Sequence, residues 1–171
     1  MPLTRALTSA RELPEMGEYL FVYGTLRPAF APARMKPLTE RFELIGKATA
    51  TGKLYDLGDY PGATLEQDGL IVGEVVELPE DGAVLAALDF YEGYDPLDEA
   101  QSLFVRQRYT AKLVDGRTVE CWIYVYQQDL QGAEWIPSGD YSAIYNFKVE
   151  IREEKWKLLQ HNLKKRHTQP S

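Results

Sequence analysis

The stretch Tyr19-Leu20-Phe21-Val22-Tyr23-Gly24-Thr25-Leu26-Arg27-Pro28 limits what this chain can fold into more than any other. Tyr19, Phe21 and Tyr23 alternate with Leu20 and Val22, the two-residue period of a strand with two apolar faces. Gly24 then lets the backbone turn without a Cβ penalty, and the amides of Thr25, Leu26 and Arg27 follow before Pro28 removes one. Successive N–H dipoles in such a turn can converge on a carboxylate or phosphate. By itself the pattern describes equally well a tight turn at a sheet edge.

The rest of the chain supplies enough material for one such core. Its 171 residues are 44% hydrophobic, which suits a single well-buried domain. No apolar run reaches the ~20 residues that a bilayer-crossing helix requires. Nineteen Lys and Arg against 26 Asp and Glu give a formal charge of -7, which disfavours a nucleic-acid backbone as partner. Cys121 is the only cysteine, so no disulfide forms within the chain, and a cytosolic location is the expectation. The start has some basic character but no continuous apolar core, and it reads as a loose leader over 1–17 rather than an export signal.

Both histidines, His161 and His167, stand in the polar C-terminal segment, away from every strand-to-glycine junction. A Ser–His–acid pair, a histidine metal centre or a histidine base would need that segment to fold back. An enzyme built on this chain is therefore expected to carry protons on a carboxylate or a tyrosine.

Along the chain, Pro28 to Pro37 reads as a surface loop carrying Arg34 and Lys36. Phe42 to Leu54 predicts two short strands or one bent at a glycine. Tyr55 to Ala63 is dense in turn formers and predicts an ordered loop, with Tyr60 either a binding contact or a clamp that pins the loop. Leu70 to Leu78 is a strand, and Glu80 to Tyr91 has the spacing of a short amphipathic helix with Gly93 as its C-cap. Pro96 to Leu103 is read as a loop. Strands over 104–113 and 118–126 flank an Asp115-Gly116 hairpin turn. The second divides into an apolar face (Val119, Cys121, Ile123, Val125) and another carrying Glu120, Trp122, Tyr124 and Tyr126. That second face either overlooks a cavity or is an outer face covered by a helix. Trp135 to Tyr141 is read as a loop, and Val149 to Arg166 as a helix serving as a lid or strut on the sheet.

Glu92 stands out on physical grounds. Val84 and Leu88 are four apart on the helix and Glu92 continues their row, so a carboxylate falls on the face that should be buried. It also falls at the helix C-terminus, where negative charge is disfavoured. Burial without a cation raises a carboxyl pKa towards the range of a general acid/base at neutral pH. A frayed last turn, or a salt bridge to Arg27, Arg106 or Arg108, would be the structural alternatives. Asp89, three residues back, could pair with Glu92, as in an acid-catalysed hydrolase.

Taken in order, several motifs resemble the γ-glutamylcyclotransferase-like superfamily, in its AIG2-like or γ-glutamylamine cyclotransferase branch. They are Tyr23-Gly24-Thr25-Leu26-Arg27, Gly52-Lys53-Leu54-Tyr55 with Tyr60-Pro61-Gly62-Ala63, Gly73-Glu74-Val75, Leu88-Asp89-Phe90-Tyr91-Glu92-Gly93-Tyr94, and the hairpin ending in Trp122-Ile123-Tyr124-Val125-Tyr126. The likeness covers about residues 18–141. It implies a mixed α/β fold, a curled β-barrel with a few packed helices, in one domain over 18–145, followed by a C-terminal helix and tail over 146–171. It implies that the turn from Tyr23 through Gly24 and Thr25 to Leu26 holds a substrate's α-carboxylate and amino end through backbone groups. It makes Glu92 the catalytic acid/base and places Tyr124 or Tyr126 on the cavity wall. Arg27 would either steer an acidic leaving portion or anchor the loop. The implied reaction is cyclisation of a γ-glutamyl amine or peptide to 5-oxoproline, with no cofactor and no metal. A non-catalytic binding or regulatory protein with the same pocket is the alternative.

Overall fold

The computed structural model describes residues 17–167. All but the last position of the expected leader therefore lies outside the described residues. Five strands close a barrel in the order β1 (Tyr19–Val22), β5 (Leu70–Glu77), β2 (Glu43–Thr51), β6 (Phe104–Leu113) and β7 (Thr118–Tyr126). Neighbours pair antiparallel except at the closure, where β7 meets β1 in parallel at Leu20 and Trp122. Closure explains why β1 is buried at all four positions, since it has a sheet neighbour on both edges and apolar layers on both faces. The fold is thus the mixed α/β barrel with packed helices that the sequence implied.

Ala48, Ala50, Ile71, Val75, Ala111, Val119, Cys121 and Ile123 are all buried, and small residues on several strands let a five-stranded barrel close tightly. On the outside of the barrel, Leu20, Val22, Val76, Phe104 and Tyr124 form a second apolar layer. Helix α2 (Gly82–Glu92) covers that layer with Val84 and Leu88. A connection of two 3₁₀ turns, Pro28–Phe30 and Ala33–Met35, leads into the single turn α1 (Lys36–Thr39) and adds Ala31 and Met35.

A smaller sheet, in the order β4 (Pro61–Thr64), β3 (Lys53–Asp56), β8 (Glu134–Ile136), stands beside the barrel. It corrects two expectations. Residues 55–63 are a hairpin rather than one loop, and 135–141 contains part of a strand. Both strands are too short to show a period, and pairing with β3 overrides the poor strand propensity of Pro61 and Gly62. The 96–103 loop contains a 3₁₀ turn at Glu99–Gln101. Helix α3 (Tyr141–His167) begins eight residues before the expected Val149. Its first turns, Tyr141-Ser142-Ala143-Ile144-Tyr145, carry no charge pattern to announce a helix. The chain divides into two compact units, 1–141 and 142–171, and the site described next lies wholly in the first.

Candidate active site

A cavity of about 90 Å³ opens where the turn after β1 meets the end of α2. Its wall includes Tyr23, Gly24, Thr25 and Leu26 from the turn, Tyr91 and Glu92 from the helix, and Tyr60, Phe104 and Tyr124 from the strands and hairpin between.

Helix α2 places its acid by plain geometry. Asp81 caps the N-terminus by accepting from the Ala83 N–H at 3.0 Å. Val84 and Leu88 fix the buried face, and Glu92 follows one turn later. Gly93 ends the helix in the left-handed conformation, φ 66°, which a residue with a side chain adopts reluctantly. The Glu92 carboxyl lines the cavity and its residue surface is half-buried. Among the described residues no cation pairs with it. The three arginines considered as partners are engaged elsewhere: Arg27 with Glu74 and Asp140, Arg106 with Asp89, Arg108 with Glu18. Desolvation acts without a compensating charge and pushes its pKa up to about 8.

The turn is closed by the Arg27 N–H donating to the Gly24 carbonyl at 3.0 Å. Gly24 is required here for a reason other than the one its position in the sequence suggests. Its φ is not positive, but a Cβ would lie 2.5 Å from Pro61 Cγ, so the bare backbone admits the β3–β4 hairpin against the turn. Among the described residues, the N–H groups of Thr25 and Leu26 donate to no other group. The Thr25 hydroxyl shares a hydrogen bond of 3.1 Å with the Tyr91 hydroxyl, tying turn to helix across the cavity.

Tyr23 and Tyr124 hold the far wall. The Tyr23 hydroxyl donates to the Tyr124 carbonyl at 2.6 Å and accepts from the Ala63 N–H at 3.3 Å. The Tyr124 hydroxyl donates to Asp89 Oδ1 at 2.7 Å. Burial raises the pKa of both phenols, which keeps them neutral donors. Asp89 also receives two bonds from Arg106, at 2.8 and 3.2 Å. Its carboxylate is therefore committed to a positioning network and lies outside the cavity lining, which leaves the Asp89–Glu92 pairing without geometric support. Face and helix alternatives for β7 thus meet in one residue: Tyr124 is covered by α2 and also borders the cavity.

Two candidates lie elsewhere. Arg27 bonds Glu74 at 2.7 Å, reaches Asp140 at 3.5 Å and stacks over Phe30 at 4.8 Å, so it holds the base of the turn. Tyr126 packs edge-on against Phe104, centroids 5.4 Å apart, and faces a wider hollow of about 460 Å³ with Asp56, Asp129 and Glu134. Tyr60 borders both hollows. Arg34 and Tyr91 also border the cavity. Tyr91 stood inside the helix motif and was legible as the neighbour of Glu92. Nothing in a proline- and alanine-rich loop marks which of its cations turns inward. Among the described residues, no cluster of three or more His, Cys, Asp or Glu could hold a metal ion.

These features define a class: a small barrel protein with a compact cavity between a backbone turn and an uncompensated carboxyl. The family described as "Gamma-glutamyl cyclotransferase, AIG2-like" matches residues 20–143, and the chain belongs to it. Over 124 residues it is 32% identical to the gamma-glutamylcyclotransferase family protein YtfP of Escherichia coli K12, covering 71% of this chain and 94% of the relative. The solution structure of E. coli YtfP superposes with a TM-score of 0.52 at 31% identity, over 72% of this chain and 96% of that one. An AIG2-like protein from Mus musculus shares the fold, with a TM-score of 0.56 at 20% identity, over 74% and 90% of the two chains.

Proposed function

We propose that this protein is a cyclotransferase that releases 5-oxoproline from a γ-glutamyl amine or peptide, with Glu92 as general acid and base. One observation supports the reading: Glu92, which pairs with no cation among the described residues, lines the same small cavity as Thr25 and Leu26, whose N–H groups are unengaged there.

The Thr25 and Leu26 N–H groups suit the substrate's α-carboxylate, which leaves the adjacent α-ammonium towards Glu92. A carboxyl with its pKa near 8 is matched to an α-ammonium, so a proton passes between them with little free-energy cost. Glu92 takes that proton. The freed amine nitrogen attacks the side-chain amide carbonyl carbon, the ring C–N bond forms, and a tetrahedral centre results. Glu92 then returns the proton to the departing nitrogen as the original amide C–N bond breaks, and its carboxylate takes up the second proton of the ring nitrogen and passes it to solvent. The products are 5-oxoproline and a free amine. The nucleophile belongs to the substrate and is tethered so that attack closes a five-membered ring, so ring closure has the advantage of proximity and no protein nucleophile is needed. Tyr23, Tyr124 and Asp89 keep the wall fixed, with Tyr60 beside the cavity mouth.

Glu92→Gln keeps the shape and removes the proton carrier. It should lower 5-oxoproline release by about 10²–10⁴-fold while the variant still binds the substrate by calorimetry. A Gln variant that turns over a confirmed substrate at the wild-type rate would overturn the assignment.

A further inference from the structure

We infer that Arg34 is a specificity-determining residue that holds a carboxylate on the leaving portion of the substrate, making γ-glutamyl amino acids or peptides preferred over γ-glutamyl derivatives of simple amines. The inference rests on the cyclotransferase reading above and adds the substrate class to it.

Among the described residues, Arg34 is the one basic side chain bordering the active cavity. Its guanidinium lies 5.5 Å from the centroid of the Tyr91 ring, and the Tyr91 hydroxyl is tied in turn to Thr25. The ring face thus steers the guanidinium to the edge of the hollow that holds Glu92. Arg27, Arg41, Arg106, Arg108 and Arg117 each pair with a carboxylate of the protein. Arg34 pairs with none among the described residues, in a chain with 26 acidic side chains available. The backbone beneath it is held firmly. Ala31 and Met35 on either side are buried in the outer core, and the Met35 N–H donates to the Pro32 carbonyl at 2.8 Å. An exposed cation is therefore carried on a fixed stem, which limits the entropy lost when it takes up an anion.

The cavity now contains two separate features that recognise anions. The turn amides suffice for the α-carboxylate common to every γ-glutamyl compound. A γ-glutamyl amine has no further negative charge to offer Arg34, whereas a γ-glutamyl amino acid presents a second carboxylate beyond the scissile amide. Guanidinium recognises such a group through paired N–H donors.

The test compares γ-glutamylalanine with γ-glutamylethylamine, which share the scissile amide and differ by one carboxylate. The wild-type protein should favour γ-glutamylalanine in kcat/KM by about tenfold or more. Arg34→Gln should bring that ratio close to one, mainly through KM, and Arg34→Lys should retain part of it. Equal losses for both compounds in Arg34→Gln would overturn the inference, because Arg34 would then serve the shared glutamyl end or the fold. Wild-type turnover of both without preference would overturn it alone. Release of 5-oxoproline from neither compound would remove the cyclotransferase reading and this assignment together.

Discussion

Glu92, the proposed proton carrier, also influences stability, and in the opposite sense. Its carboxyl has a pKa of about 8 in the folded protein against 4.5 for an unperturbed glutamate. Below pH 4.5 both states are protonated and burial costs little. Between pH 4.5 and about 8 the unfolded chain has released the proton while the folded chain still binds it. Stability therefore falls as pH rises through that window and levels off above it. At neutral pH the penalty is on the order of 2–3 kcal/mol once partial solvent contact is allowed for. Glu92→Gln should accordingly melt higher than the wild type at pH 7 to 8, and the gap in Tm should close towards pH 4. Thermal scans across that range check it, and equal Tm values at pH 7.5 would contradict it. The acid was legible because Val84 and Leu88 define a row that it continues. Arg34 was not, since its inward placement depends on Ala31 and Met35 entering a core built from distant strands.

The turn after β1 is rigid because of contacts that lie far away in sequence. Arg27 bonds Glu74 of β5, and both side chains are largely withdrawn from solvent, at 12% and 15% exposure. Arg27→Ala would strand Glu74 without its partner, a change that costs about 3 kcal/mol and should lower Tm by roughly 10 °C. Removing both partners in Arg27→Ala with Glu74→Ala should recover part of the loss, which melting curves of the three variants will show. From the sequence Arg27 could serve substrate or loop. Only the pairing of β1 with β5 brings Glu74 beside it and supports the anchoring role. The strands with clear two-residue alternation, β1, β5, β6 and β7, were readable in advance, as was the Asp115-Gly116 turn. The strands β4 and β8 were not, because four and three residues carry too little period and owe their conformation to β3.

At the scale of the molecule, the buried apolar residues end at Tyr141, and the family match ends at residue 143. A chain stopped at Asn146 should therefore fold cooperatively by itself, with a Tm within a few degrees of the full chain. Circular dichroism melts would show this, and loss of the cooperative transition would contradict it. The barrel closes between β1 and β7, and the hydroxyl of Tyr23 reaches the backbone of Tyr124, 101 positions later. A ribosome must consequently release nearly the whole domain before any hollow can exist. Until then the nascent chain already carries Glu92 and the β1 turn but has no hollow between them, so an incomplete product offers a small ligand nowhere to bind.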